Sequence, residues 1–137
     1  MKAKVLLVSC AAAAFLLSAC QSGGAYTPKN TRKYDVENQA PFVLLDAGAQ
    51  RSVTVAGIQE RQREDGRLEV AANVRNRQSR RIEVQMNCVF KDENGYSTGD
   101  ETPFQTVILT ENAQETVRFI SMNNKARKYT IRVRQAR

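Results

Sequence analysis

The chain has 137 residues and a formal net charge of +7, a length that fits one domain and a balance that favours anionic surroundings. It contains no histidine, which excludes Ser-His-Asp and Cys-His catalysis and the common zinc ligand sets. Its cysteines are Cys10, Cys20 and Cys88; if Cys10 belongs to an apolar leader and Cys20 is acylated, Cys88 has no partner and a disulfide framework is excluded.

Met1-Lys2-Ala3-Lys4 is a short basic start, and Val5 to Leu17 is an apolar run broken only by Ser9 and Cys10. A basic start followed by such a run is the pattern of a secretory signal. The run falls short of the roughly 20 apolar residues that span a bilayer. Polar Gln21, Ser22, Gly23 and Gly24 end it.

Leu17-Ser18-Ala19-Cys20 resembles the lipobox of bacterial lipoproteins. The resemblance implies a signal peptide over 1–19 and cleavage between Ala19 and Cys20. It also implies a diacylglyceryl group on the Cys20 sulfur and a further acyl chain, such as palmitate, on the new N-terminus. The chemistry needs a thiol as the alkylated nucleophile and small residues, here Ser18 and Ala19, to fit the peptidase. Each buried CH₂ contributes roughly 0.8 kcal/mol, so two chains hold a protein on a membrane without burial of its own surface. By the same resemblance, Gln21 rather than Asp after the cysteine implies the outer membrane, facing the periplasm. Loss of Lys2 and Lys4 with residues 1–19 leaves 19 basic and 14 acidic residues, net +5.

Residues 20–41 follow as the lipidated cysteine and a flexible tether, with Gly23-Gly24, Pro28, Pro41 and no sustained apolar period. About 20 such residues span roughly 25 Å as a coil and at most about 70 Å when stretched.

From Phe42 to the end, period two dominates. Leu68, Val70, Ala72 and Val74 share one face, as do Ile82, Val84, Met86, Cys88 and Phe90. Val117 and Phe119 flank Arg118, and Tyr129, Ile131 and Val133 repeat the pattern. The expected strands lie near 42–46, 53–60, 67–76, 81–91, 103–110, 114–121 and 128–135. Val53 and Val55 keep one phase and Ile58 breaks it, which calls for a bulge at Gly57. Pro103 suits the start of a strand, where no ladder donor is lost. Turn residues separate the runs, among them Glu64-Asp65-Gly66 and Asp92-Glu93-Asn94-Gly95. Short strands at such intervals imply an all-β fold, an antiparallel sandwich of about seven strands.

The stretch from Asn76 to Gly95 resembles the central signature of the YcfL family of bacterial lipoproteins. The shared pattern is an Asn closing one strand, a polar turn (Arg77-Gln78-Ser79-Arg80), an alternating strand (Ile82 to Lys91), then Asp92 and Gly95 at a turn. Gly66-Arg67-Leu68-Glu69-Val70 and Tyr129-Thr130-Ile131-Arg132-Val133-Arg134 fit the same family. The resemblance implies an immunoglobulin-like β-sandwich over 42–137, an envelope location and no catalytic residues. The chain departs from the family in carrying Met86, Cys88 and Phe90 where Tyr and Trp are frequent.

Cys88 lies on the apolar phase of its strand and reads as a buried, inert thiol. Asp92, Glu93, Asp100 and Glu101 read as a solvated acidic turn; Gly95 is fourth from Asp92, so the EF-hand spacing fails and no metal site is expected. Residues 82–117 hold seven acids against Lys91, net −6, whereas 118–137 hold seven bases and no acid, net +7. Arg132 and Arg134 are expected on the outer face of the last strand, with Arg127 and Lys128 before it. Arg75, Arg77, Arg80 and Arg81 gather near one turn. These bases are either a solvated face with cross-strand ion pairs or a docking surface.

The expectation is a non-catalytic, membrane-anchored module of the cell envelope that binds another envelope protein through a sheet face or edge strand. The alternative is a binder of anionic envelope ligands (lipopolysaccharide, phospholipid or peptidoglycan) through the basic C-terminal strand. No cofactor beyond the covalent lipid and no nucleic acid partner is expected.

Overall fold

The computed structural model describes residues 40–136. The signal peptide, the Ala19–Cys20 cleavage site, the Cys20 modification and the tether as far as residue 39 lie outside the described residues. Among the described residues no helix is long and apolar enough to cross a membrane.

The elements in chain order are β1 (Phe42–Leu44), α1 (Ala47–Ser52), β2 (Val53–Gln62), β3 (Leu68–Asn76), β4 (Ile82–Lys91), β5 (Ser97–Glu101), β6 (Gln105–Leu109), β7 (Gln114–Ile120) and β8 (Lys128–Gln135). They form an all-β, immunoglobulin-like sandwich of a five-stranded and a three-stranded sheet. In the larger sheet β1, β8 and β4 lie side by side. β5 and β6 share the remaining edge of β4, one along each half. The smaller sheet runs β2-β3-β7. All pairs are antiparallel except β1 with β8, where Phe42 faces Ile131 and Leu44 faces Val133 in parallel.

Alternation builds the core as the sequence implies. Leu68, Val70, Ala72, Val74, Val117 and Phe119 of the small sheet meet Val84, Met86, Cys88, Phe90, Ile131 and Val133 of the large one. The register of β2 slips between Val55 and Gly57, so Ala56 is the extra residue and Ile58 packs against the core.

Five features differ from the expectation. β5 is an additional strand. α1 is an additional helix, capped by Asp46, whose Oδ1 accepts from the Ala49 N–H at 2.7 Å. Pro103 precedes β6 by two residues rather than opening it. Pro41 is already tied into the sheet, its carbonyl accepting from the Ile131 N–H at 2.8 Å. Finally, the outer face of the large sheet is partly closed: Asn87, Val89 and Thr130 are buried although their phase points away from the core. Over Asn87 the closure comes from long side chains of neighbouring strands. Asn87 donates to Glu101 at 2.6 Å, and Arg132 donates to the same carboxylate at 3.2 Å.

The sandwich has two distinct ends. At one, the loop after β3 leads into β4, α1 leads into β2, and β8 finishes. At the other, β4 turns into β5, β8 begins, and the chain arrives through Ala40. Val84 pairs with Gln135 near the first end and Lys91 with Lys128 at the second. The ten residues of β4 separate the ends by roughly 30 Å.

Candidate functional site

The end where β3 passes into β4 is held by one buried amide. Asn76 occupies the inward phase of β3, where an apolar residue would continue the pattern, and is fully buried. Its Nδ2 donates to the carbonyls of Arg80 (2.7 Å), Thr110 (2.8 Å) and Leu109 (3.2 Å). Its Oδ1 accepts from the Gln78 N–H at 2.8 Å. One side chain thus joins the β3–β4 loop to the β6–β7 turn and satisfies carbonyls that would otherwise be costly to bury. The loop is tied to α1 as well: the Arg77 N–H donates to the Ser52 carbonyl at 2.8 Å, and Gln78 Nε2 to the Arg51 carbonyl at 3.2 Å.

Asp46 sets the other wall. Besides capping α1, its Oδ2 accepts from the Gln135 N–H at 2.7 Å, fixing the helix against the end of β8. Gly48 lets the Gln135 side-chain amide lie against α1; a Cβ there would make that flexible side chain move aside. Between α1, the β3–β4 loop and the end of β8 lies a cleft of about 550 Å³, with Arg51, Gln78, Arg80, Arg81, Glu83 and Gln135 in its wall. Its size falls in the range of ligand-binding clefts.

The charges around this cleft differ from those elsewhere. Arg51, Arg75, Arg77 and Arg80 are exposed, and none has a carboxylate within ion-pair distance or a side-chain hydrogen bond among the described residues. Arg81 pairs with Glu83 at 2.9 Å, both half exposed. Elsewhere the arginines are engaged. Arg61, Arg63 and Arg118 surround Glu69 at 3.4, 3.5 and 3.0 Å. Arg67 pairs with Asp65 at 2.7 Å, Arg127 with Glu93 at 3.9 Å and Arg132 with Glu101 at 3.2 Å.

The basic residues singled out in the sequence therefore do not form one surface. Arg80 and Arg81 line the cleft, joined by Arg51, which sequence reasoning missed, whereas Arg75 and Arg77 lie at the same end of the sandwich but outside its wall. Arg127 and Lys128 lie at the opposite end, in a cleft of about 930 Å³ with Tyr96, Tyr129 and Ala40. Arg132 and Arg134 sit between the two ends and are half-buried rather than projecting. The Arg134 guanidinium lies 3.8 Å from the centroid of the Phe104 ring, and its Nε donates to Gln85 at 2.9 Å. The basic residues of the C-terminal strand do not stand free, because Glu101 of β5, Phe104 of the β5–β6 connection and Gln85 of β4 engage Arg132 and Arg134.

The acidic turn is corrected likewise. Asp92 Oδ1 accepts from the N–H groups of Asn94 and Tyr96 and shapes the turn, in which Gly95 has φ 87°. Asp100 is buried, not solvated, and accepts from the Met122 N–H. Glu101 serves Asn87 and Arg132. Backbone and cation partners thus divide the four carboxylates among separate tasks, and among the described residues no group of metal-ligating side chains assembles.

Cys88 is fully buried. Burial, with Asp100 nearby, pushes its thiol up to about 12, so it stays protonated and unreactive at neutral pH. What the described residues offer is a set of hydrogen-bond donors on a fixed platform.

A family model described as protein of unknown function (DUF1425) matches residues 42–135. Among solved structures the chain is similar to the crystal structure of Campylobacter jejuni cj0090, with a TM-score of 0.60, 16% identity, and coverage of 70% of this chain and 98% of that one. It is also similar to a DUF1425 family member from Shewanella sp. pv-4, with a TM-score of 0.56, 23% identity, and coverage of 62% of this chain and 79% of that one. No curated protein matches the chain. At these identities the structural likeness speaks to the fold alone.

Proposed function

This chain belongs to the DUF1425 family of proteins of unknown function, and on that footing we propose that it is a lipid-anchored, non-catalytic binding module of the bacterial cell envelope. Within the family, the finer assignment to the YcfL lipoproteins is part of the same proposal. The observation that carries the reading is the order of parts in the sequence: a basic start, an apolar run, Leu17-Ser18-Ala19-Cys20, a Gly- and Pro-containing spacer, and then the domain. The acyl chains supply the membrane attachment, the spacer supplies reach, and the domain is left to contact an envelope protein. Gln21 after the cysteine favours the outer membrane, on the periplasmic side. The non-catalytic reading draws support from the lack of histidine and from the inert Cys88. The reading includes no cofactor other than the lipid.

The test is a Cys20→Ser variant expressed beside the natural chain in cells fed labelled palmitate. The natural chain is expected to carry label and to sediment with membranes, and the variant to do neither. Label on the variant, or a natural chain that is unlabelled and soluble, contradicts the anchor.

A second reading, an anionic envelope ligand such as lipopolysaccharide, phospholipid or peptidoglycan, is favoured by the uncompensated guanidinium groups around the cleft. It moves from the C-terminal strand, where Arg132 and Arg134 are engaged, to Arg51, Arg75, Arg77 and Arg80.

A further inference from the structure

We propose that the cleft bounded by α1, the β3–β4 loop and the end of β8 docks an extended acidic segment of a partner protein, with its carboxylates on Arg51 and Arg80. This deepens the envelope-binding reading by naming the surface and the chemistry of the partner, and its geometry relative to the membrane rests on the lipid anchor.

Four observations converge. First, the guanidinium groups left without a side-chain partner among the described residues are Arg51, Arg75, Arg77 and Arg80, and all lie at one end of a sandwich whose other arginines are engaged. Their charge awaits an anion from outside. All are arginine rather than lysine, and the planar fork of arginine pairs with a carboxylate through two parallel hydrogen bonds.

Second, the platform is fixed before any partner arrives. Asn76 locks the loop, Asp46 locks the helix against β8, and the β3–β4 loop is bonded to the end of α1 through the Ser52 and Arg51 carbonyls. A preorganised surface gives up less entropy on binding.

Third, the cleft suits a chain better than a compact dianion. Its volume of about 550 Å³ far exceeds one phosphate group, and Gln78, Gln135 and half-buried Ile82 share its wall with the arginines. Those are contacts for a peptide backbone and its side chains.

Fourth, Ala40 enters the domain at the opposite end, roughly 30 Å away along β4. The cleft therefore lies at the end of the domain away from the point where the chain enters, so a partner segment seated there does not meet the entering chain.

The test titrates a fluorescent oligoglutamate peptide, followed by anisotropy, into the full chain purified in a neutral detergent. The parallel arms use an oligoglutamine peptide and phosphatidylglycerol vesicles. Saturable, salt-sensitive binding of oligoglutamate but not oligoglutamine is expected. An Arg51→Glu/Arg80→Glu variant is expected to weaken it about tenfold or more. An Arg127→Glu/Lys128→Glu variant, of equal charge change at the other end, is expected to alter it less than about twofold. All four positions are exposed, and far-ultraviolet circular dichroism checks that the variants keep the fold. Absence of saturable binding, equal weakening by the two variants, or vesicle binding that depends on Arg51 and Arg80 in place of peptide binding overturns the proposal. The titration works whether or not the chain is acylated, so a missing lipid on Cys20 sinks the anchor and leaves the peptide result to stand or fall separately.

Discussion

Asn76 illustrates how a single polar side chain can organise one end of a sandwich. It replaces a core residue at the end of β3 and exchanges apolar contact for hydrogen bonds to the Arg80, Leu109 and Thr110 carbonyls and the Gln78 N–H. An Asn76→Ala change leaves several of these groups buried without partners. Urea denaturation is expected to show a loss of about 3 kcal/mol. A loss under about 1 kcal/mol would mean that water replaces the amide. Glu69, near the other end of the same strand, is a second buried polar residue with several partners. Burial pushes its carboxyl up, but the hydrogen bond from Arg118 and the charges of Arg61 and Arg118 outweigh that and hold it below its ordinary value of 4.5. Asp65 is lowered too, chiefly by its hydrogen bond to Arg67. A carboxyl depressed in the folded state contributes stability above its unfolded pKa and loses it as pH falls through the folded one. The urea midpoint is therefore expected to fall as pH drops below about 4.5, and less steeply in Glu69→Gln; identical slopes in the two proteins contradict this role. Of these features the sequence reveals part. Arg75, Arg77, Arg80 and Arg81 stand out because they are adjacent in the chain. Arg51 does not, because only the fold brings α1 to them. Alternation assigns Arg132 and Arg134 to a face but cannot reveal Glu101, Phe104 and Gln85 lying beside them.

At the scale of elements, strong periodicity was readable and weak periodicity was not. β3, β4, β7 and β8 alternate cleanly and fall within a residue or two of their expected positions. The bulge in β2 was legible because a phase break leaves a mark in the sequence. β5 was not, since Ser97-Thr98-Gly99 has turn composition and becomes a strand only through the edge of β4. Nor does alternation encode the parallel direction of β1. α1, with six residues, is too short for a helical period, and the mark it does leave is Asp46 at its cap. That residue carries two tasks, the Ala49 N–H and the Gln135 N–H. Asp46→Ala is expected to cost about 2 kcal/mol, half from the cap and half from the tie to β8. A thermal shift no larger than that of an exposed-site control would show that α1 does not depend on this clamp.

For the whole molecule, the charge split along the chain misleads until it is folded. The acidic stretch 82–117 and the basic stretch 118–137 look like two opposed patches, yet the fold interleaves them: Glu93 meets Arg127 and Glu101 meets Arg132. Unneutralised arginine is left instead at the end where β3 gives way to β4, opposite the point where the chain arrives. On the proposed reading, the end where the chain enters at Ala40 and the proposed binding end are separated by the length of β4. Site-specific photocrosslinking in intact cells tests that separation most directly, with benzoylphenylalanine replacing Gln78 at the cleft or Tyr96 at the opposite end. The account predicts one defined protein adduct from position 78, abolished by Arg51→Glu/Arg80→Glu, and none from position 96. The same adduct from both positions, or from position 96 alone, would contradict it.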